Sequence, residues 1–570
     1  MRYIRVLPDV AAIDKVFDYA VPEAMAADVR IGTMVRIELH GRRVGGWVVD
    51  DDVTPPEGVA VRPIAKVTGW GPPASLVALS EWAAWRWAGP RARFLGTASP
   101  PVAVRALPTV LEAIARPEAG ALPRESLVAE AFAAGRAVVR LPPAADRRAL
   151  VTAAMGLDDP ALVLVPSVAR AEAMGRALRA DGHSVAVVPG EWSRAAAGAH
   201  VVIGARAAAW APVERVGAVV VLDAHDEVYQ EERAPTWNAW QVAAERAARD
   251  GAPCVLVTPC PTIDQQQWGT LVTTTRADER AGWAAVEVID RRSDDPRSGL
   301  FSPRLVDLVR GEGRVVCVLN RKGRARLLAC AKCGELCRCE QCGAAVGQHD
   351  VGLRCSGCGL ERPGLCLACG SLQLKRLRLG VTRVREEVAA LVGEPVGEVT
   401  GDDADDPGAR VVVGTEAVLH QVRRATTVVF LDFDQELLAP RFRAPEQAMA
   451  LLARAARVVG GRPGRVVVQT RLPDHEVIAA AVAADPGLLS RPEAARRREL
   501  SQPPFAAWAL VSGDAAPALV DALPETVRTA GPDDGRWLIS APSHDALCDA
   551  LTATGRPPGR LRVEVDPLRA

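Results

Sequence analysis

Four Cys-x2-Cys pairs fall close together in this 570-residue chain: Cys330/Cys333, Cys339/Cys342, Cys355/Cys358 and Cys366/Cys369, with gaps of five, twelve and seven residues between them. A Cys-x2-Cys turn presents two sulfurs to one ion, and zinc favours four thiolates at tetrahedral corners, so four pairs make two closed sites of a structural kind. A segment this poor in apolar residues has no core of its own. Zinc binding, worth ~10–16 kcal/mol in isolated finger peptides, supplies much of what is missing. Iron–sulfur ligation and incidental buried thiols are the competing readings, and four consecutive x2 spacings argue against an accident. Cys337 has no x2 partner and reads as a bystander, while Cys254, Cys260, Cys317 and Cys548 read as small buried apolar residues.

The cysteine block interrupts an α/β pattern. From residue 136, RAVVRL, ALVLVPS, HSVAVVPG, AHVVIGARAAA and VGAVVVLD alternate with helical stretches, including one over 168–180. Continuous apolar strands between helices mark a parallel sheet covered on both faces. A second such unit starts near 300 with GRVVCVLNR and resumes after the cysteines with a helix over 383–391, ARVVVGT, TTVVFLDFD and GRVVVQT. Before them, residues 1–75 are β-rich, and residues 76–133 are alanine-rich with Trp82, Trp85 and Trp87. The fold class is therefore multidomain α/β: a β-rich DNA-binding domain at 1–75, a helical linker or reduced winged-helix remnant at 76–133, lobe 1 at 134–295, and lobe 2 at 296–328 and 372–475. The double metal-binding insertion takes 329–371 and an α+β C-terminal domain takes 476–570.

With 49% apolar and 24% charged residues, dominant disorder is excluded. No apolar run is long enough for a membrane span, and the N-terminus lacks a secretory signal's apolar core, so a soluble cytoplasmic protein is expected. Sixty-nine basic against 69 acidic residues give no overall attraction to nucleic acid, though a few arginines on one face suffice for phosphate contacts.

Several segments in collinear order resemble the primosomal protein N′ (PriA) replication restart helicase family. VFDYAVPE (Val16 to Glu23) with GTMVRIELHGRRVGGWVV is similar to that family's domain for the 3′ end of a nascent strand. VVIGARAAAWAP (Val201 to Pro212), HDEVYQEE (His225 to Glu232), LNRKGRARLLACAKCG (Leu319 to Gly334), LDFDQELLAPRFRAPEQ (Leu431 to Gln447) and ELSQPPF (Glu499 to Phe505) match further family segments. The resemblance implies a superfamily 2 helicase with two RecA-like lobes, ATP-driven 3′-to-5′ translocation and two zinc ions. One ion falls to Cys330, Cys333, Cys366 and Cys369, and the other to Cys339, Cys342, Cys355 and Cys358. It also implies forked or branched DNA with a 3′-hydroxyl end as ligand. Implied protein partners are a replicative helicase loader, primosomal proteins or single-stranded DNA-binding protein, in a nucleoid-associated setting.

The nucleotide motifs depart from the family. A phosphate loop needs glycines, a lysine and a Ser/Thr, but the first strand and turn read VVRLPPAADRRAL (138–150). Two prolines remove amide donors and Asp146 adds negative charge. No lysine occurs between Lys66 and Lys322, so a phosphate lysine in lobe 1 is impossible. The family's DEEH corresponds to Leu222, Asp223, Ala224 and His225, and its arginine-bearing QVAGRAGR corresponds to Arg454–Arg465, where Arg457 or Arg462 lies near the interlobe cleft. The expected function is therefore a replication restart protein that recognises forked or branched DNA without ATP-driven unwinding, with no catalytic residues and with ATP and magnesium doubtful. An active ATP-dependent helicase using displaced residues and a protein-docking scaffold in the replisome are the alternatives.

By the same resemblance Asp18 lines the pocket for the terminal nucleotide, flanked by Phe17 and Tyr19. A carboxylate accepts a hydrogen bond from a 3′-hydroxyl and repels a terminal phosphate. The alternative is a hairpin whose Phe17 and Tyr19 serve the core. Lys15, Arg36, Arg42 and Arg43 are candidate phosphate contacts, as are Arg321, Lys322, Arg324 and Arg326 before the cysteines and Lys375, Arg376 and Arg378 after them. Helical spacing makes packing the better reading of the three tryptophans, and 101–133 is too short for a complete winged helix.

Overall fold

The computed structural model describes residues 2–10, 13–55, 58, 60–109, 126–294, 299–319, 328–341, 343–349, 352–355, 358–376, 381–401 and 403–569. Much of the stretch proposed as a reduced winged helix, and the basic residues Arg321, Lys322, Arg324, Arg326 and Arg378, lie outside the described residues. So does Cys342.

Alternating apolar and polar residues build the first sheet: in MVRIEL, Val35, Ile37 and Leu39 are buried while Arg36 and Glu38 face out. Its strands are β1 (Arg2–Pro8), β2 (Phe17–Val21), β3 (Met34–Leu39), β4 (Arg42–Asp51) and β5 (Lys66–Gly69), in the antiparallel order β2-β1-β4-β3-β5. Two helices follow, Ala74–Arg86 and Arg91–Ala98.

These helices fix the N-terminal sheet to lobe 1 through aromatic packing. Trp87, Phe94, Trp210 and Trp237 form a chain with centroid separations of 6.3, 5.7 and 6.1 Å. Trp82 meets Trp87 edge-on at 5.3 Å, and Trp85 donates its indole N–H to Asp549 at 2.9 Å. All three helix tryptophans are thus engaged within the protein, as burying large aromatic surfaces favours.

Lobe 1 is a fully parallel sheet of β6 (Arg136–Arg140), β7 (Ala161–Leu164), β8 (Val185–Val188), β9 (Val201–Gly204), β10 (Ala218–Leu222), β11 (Cys254–Thr258) and β12 (Thr270–Thr273). The order is β12-β6-β11-β10-β7-β9-β8. Its central strands are buried on both faces, which is why the sequence there is an unbroken run of Val, Leu and Ile.

Lobe 2 begins before the expected boundary at 296: β13 (Ala285–Asp290) pairs with a strand of the second sheet, over Arg465–Thr470, and is followed by β14 (Val315–Val318). The insertion then adds β15 (Leu328–Cys330), β16 (Val346–His349), β17 (Gly352–Cys355), β18 (Glu361–Pro363) and β19 (Leu374–Arg376), with β15 and β19 pairing at its base. It rests on lobe 2 by burying Ala329, Leu336 and Ala345 with Leu438. Lobe 2 resumes with β20 (Gly397–Thr400), β21 (Asp403–Asp405), β22 (Val411–Gly414), β23 (Thr427–Phe430) and β24 (Arg465–Thr470), giving the order β13-β24-β23-β14-β22-β20-β21.

The C-terminal sheet, β25 (Ala507–Ser512), β26 (Arg528–Asp533), β27 (Arg536–Ala541) and β28 (Arg562–Val565), has the antiparallel order β26-β27-β25-β28. A buried ion pair ties it to the first helix: Arg86 reaches Asp566 at 2.6 Å, and His544 reaches the same carboxylate at 2.7 Å. Among the described residues no helix is long and apolar enough to cross a membrane.

Candidate functional site

In an open parallel sheet a nucleotide would meet the C-terminal ends of the strands, where the turn after β6 should offer free amides. Here the donors at the start of that turn are engaged or missing. Leu141 N–H donates to Thr258 O at 3.1 Å, Ala144 N–H to Gly282 O at 3.1 Å, and Ala145 N–H to Pro142 O at 3.0 Å. Pro142 and Pro143 have no N–H. At the start of the following helix, Arg148–Met155, the Arg148 N–H donates to Asp146 Oδ1 at 2.9 Å. The last β6 residue, Arg140, lies 2.8 Å from Glu279 and 3.5 Å from Asp485.

The carboxylate that follows β10 is just as fully occupied. Asp223, in a left-handed conformation at φ 57° and with its side chain 4% exposed, meets three arginines. Arg147 and Arg170 each approach to 2.9 Å, and Arg457 makes a two-pronged contact at 2.5 Å on each oxygen. Arg457 sits on the lobe 2 helix Ala444–Val458 and also donates from Nε to Pro143 O at 3.1 Å. One lobe 2 side chain therefore grips both the turn after β6 and the carboxylate after β10.

The same helix makes further cross-lobe contacts. Arg454 meets Asp226 at 2.7 Å, Gln447 bonds Glu227, Arg443 meets Asp264 at 3.0 Å, and Glu446 accepts from Ile263 N–H at 2.8 Å. Desolvation in this cleft pushes the imidazoles of His225 and His420 down to about 4, so both are neutral at pH 7. Leu222 and Ala224 flank Asp223, and the next acidic residue, Asp226, is held by Arg454. Of the two arginines expected near the cleft, Arg457 enters it; the Arg462 backbone N–H bonds Ala281 O and its side chain is exposed.

The cysteine block forms two clusters. The sulfurs of Cys330, Cys333, Cys366 and Cys369 all lie within 4.8 Å of one another, as do those of Cys339, Cys355 and Cys358. Separations of 3.5 Å (Cys330 to Cys369), 3.6 Å (Cys333 to Cys366) and 3.5 Å (Cys339 to Cys358) approach the ~3.8 Å edge of a tetrahedron of sulfurs about 2.3 Å from a metal. The donor set fits a tetrahedral thiophilic ion. Each pair is followed by a glycine, and Gly334, Gly343, Gly359 and Gly370 all take φ between 71° and 78° and return their N–H to the carbonyl of the first cysteine. A side chain is disfavoured at that φ, so Cys-x2-Cys-Gly is the complete local unit. Cys337 lies outside both clusters, buried, with its thiol pushed up to about 11 chiefly by that burial.

On the N-terminal sheet, Asp18 lies opposite Arg5, which it meets at 3.2 Å; Arg5 also reaches Asp50 at 3.2 Å. The Asp18 side chain keeps 17% exposure beside that guanidinium. Phe17 is half-buried with Lys15 Nζ 5.9 Å from its ring centroid, and Lys15, Arg36, Arg42 and Arg43 are exposed. Tyr19, offered as a nucleotide-flanking residue, is instead a core residue: it is 4% exposed and its hydroxyl donates to Glu38 O at 2.9 Å. Arg5 and Asp50 are site neighbours the motif did not name. Strand pairing alone brings them beside Asp18.

A β-rich domain is joined to two α/β lobes built on parallel sheets, with a double cysteine insertion in the second. Residues 5–100 match the family model described as the PriA 3′DNA-binding domain (3′BD). The chain is 29% identical to replication restart protein PriA of Bacillus subtilis (strain 168) over 350 residues, covering 55% of this chain and 43% of that protein. It is 31% identical over 353 residues to the Treponema pallidum protein of the same name, covering 55% and 52%. The probable replication restart protein PriA of Mycobacterium tuberculosis (strain H37Rv) is 28% identical over 587 residues, covering 91% of this chain and 88% of that one. The chain thus spans about half the length of the first two relatives and most of the third. It is similar over most of its length to proteins named replication restart protein PriA, and its residues 5–100 match the PriA 3′DNA-binding domain model.

Proposed function

We propose that this chain is a replication restart protein that binds forked or branched DNA through the 3′ end of a nascent strand, and that its helicase-like core does not hydrolyse ATP. The observation that carries the second half is Arg457. It occupies both the carboxylate and the turn carbonyl at the strand ends where ATP and magnesium would have to sit. A phosphate group there would find no lysine, no free amide at Leu141, Ala144 or Ala145, and a carboxylate already bearing three guanidinium partners. Losing one charge-stabilising group alone costs ~3 kcal/mol of barrier, about a hundredfold in rate, and here the whole set is replaced.

In this reading the eight paired cysteines hold two zinc ions that fold the insertion. Asp18, steadied by Arg5, accepts a hydrogen bond from a 3′-hydroxyl, with Phe17 beside it and Lys15 placed for a phosphate. The reading is tested with metal-replete protein on forked DNA carrying a 3′-hydroxyl or a 3′-phosphate, at several salt concentrations, while phosphate release from ATP is followed. Preferential, salt-dependent binding of the hydroxyl fork without DNA-stimulated phosphate release is the expected result. Equal affinity for forks and linear duplex defeats the recognition half, and DNA-stimulated turnover defeats the silent-core half.

A further inference from the structure

The two cysteine clusters are tied to each other through one arginine. Arg362 is carried by β18, whose neighbour β17 bears Cys355 of the second cluster. Its side chain, only 7% exposed, turns inward. Nη1 donates to the carbonyl of Leu365, the residue before Cys366 of the first cluster, at 2.8 Å. Nη2 donates to the carbonyl of Arg338, the residue before Cys339 of the second, at 3.4 Å. Nε lies 3.3 Å from the carboxylate of Glu340, the residue after Cys339. The two clusters also share a wall: Cys337, Cys339 and Cys355 are buried together with Leu328, Val346 and Leu353, and a cavity of about 390 Å³ beside them is lined by Cys337, Cys339, Arg362 and Cys366.

Each tetrathiolate site holding a divalent ion carries a formal charge of −2, so two such sites in one small module repel. A guanidinium fixed beside both offsets that repulsion, and its hydrogen bonds set the backbone on either side at the spacing the ligands need. We propose that Arg362 is a positioning residue that couples the two sites, so that filling one orders the other and the module takes up its ions as a pair. This rests on the reading of both clusters as zinc sites. Among the described residues Arg362 makes no hydrogen bond to a cysteine sulfur; it acts through the backbone beside Cys366 and Cys339.

Native mass spectrometry of the full chain during stepwise chelation and reloading with zinc tests this. The wild type is expected to pass between zero and two ions with little one-ion species. Arg362→Gln, which removes the charge, is expected to accumulate the one-ion species and to lose zinc affinity at one site by about 10–100-fold, the usual effect of removing a partner that supports metal ligands. Arg362→Lys, which keeps the charge but not the fork, is expected to fall between the two. A wild type that fills its sites independently overturns the coupling even if the variants fail to fold, and so does an Arg362→Gln protein that still loads in pairs. Protein that carries no zinc at all overturns the underlying zinc reading instead, which keeps the two failures apart.

Discussion

Replacing Asp223 by asparagine removes the carboxylate that three arginines share while keeping the shape and a residue tolerant of left-handed backbone. Arg147, Arg170 and Arg457 would then face one another without a counter-charge. The Arg170 side chain is 43% exposed, so its share is at most ~1 kcal/mol. Arg147 and Arg457 are 13% and 22% exposed, and removing the partner of a buried charge costs about 3–5 kcal/mol. Asp223→Asn should therefore destabilise the closed pair of lobes by about 3–5 kcal/mol. Arg457→Gln should cost about 2 kcal/mol, because Asp223 keeps its other two partners. A double-mutant cycle on urea unfolding, read alongside hydrogen exchange of amides 141–148, should give a coupling energy of at least ~1 kcal/mol between the two positions. The coupling should change little with salt because the pair is buried. Additive effects within ~0.5 kcal/mol, with exchange at 141–148 unchanged, would refute the claim that this contact holds the lobes together.

Acid should loosen the same cleft. His225 and His420 titrate near 4 in the folded protein against a usual value near 6.5, so the unfolded state binds more protons and stability falls as pH drops from about 6.5 toward about 4; replacing both by asparagine should flatten that slope in pH-dependent urea melts. Asp566 adds to the same acid loss over a lower pH range: although burial opposes ionisation, Arg86 and His544 hold its carboxyl far below the usual range. Its stabilisation is complete above about pH 4 and fades only in stronger acid, while Asp566→Asn should lower the thermal midpoint clearly at neutral pH. If the cysteine clusters hold metal as proposed, a chelator should expose 330–369 to proteolysis while both lobe sheets keep their circular dichroism, because the insertion's order would depend on its clusters. Asp18→Asn should narrow the preference for a 3′-hydroxyl over a 3′-phosphate fork by about tenfold, roughly 1.4 kcal/mol in competition binding.

The parallel sheets were legible because strands such as Val219–Leu222 and Val411–Val413 are buried on both faces, which leaves continuous apolar runs in the sequence. The cysteine pairs were legible for a similar reason: metal ligation demands fixed local spacing. The glycine after every second cysteine was a further signal there, since the turn needs a left-handed residue at that point. The Asp223 cluster left no such trace. Arg457 is 234 positions away in the chain, and no local pattern marks which of many arginines will cross a cleft. Arg362 is hidden in the same way, looking like any exposed arginine near a metal knuckle until its three contacts are seen. Tyr19 misled because in FDYAV the last three residues are all buried, so strict alternation does not sort its faces.

In the proposed reading, the cleft between the lobes is filled by the protein's own arginines and leaves no room for nucleotide chemistry. Calorimetric titration of ATP into metal-replete protein, with and without forked DNA, and with phosphate release followed in the same samples, addresses it most directly. No nucleotide-dependent heat and no released phosphate are expected. Saturable ATP binding with DNA-stimulated hydrolysis that disappears in Asp223→Asn would contradict it.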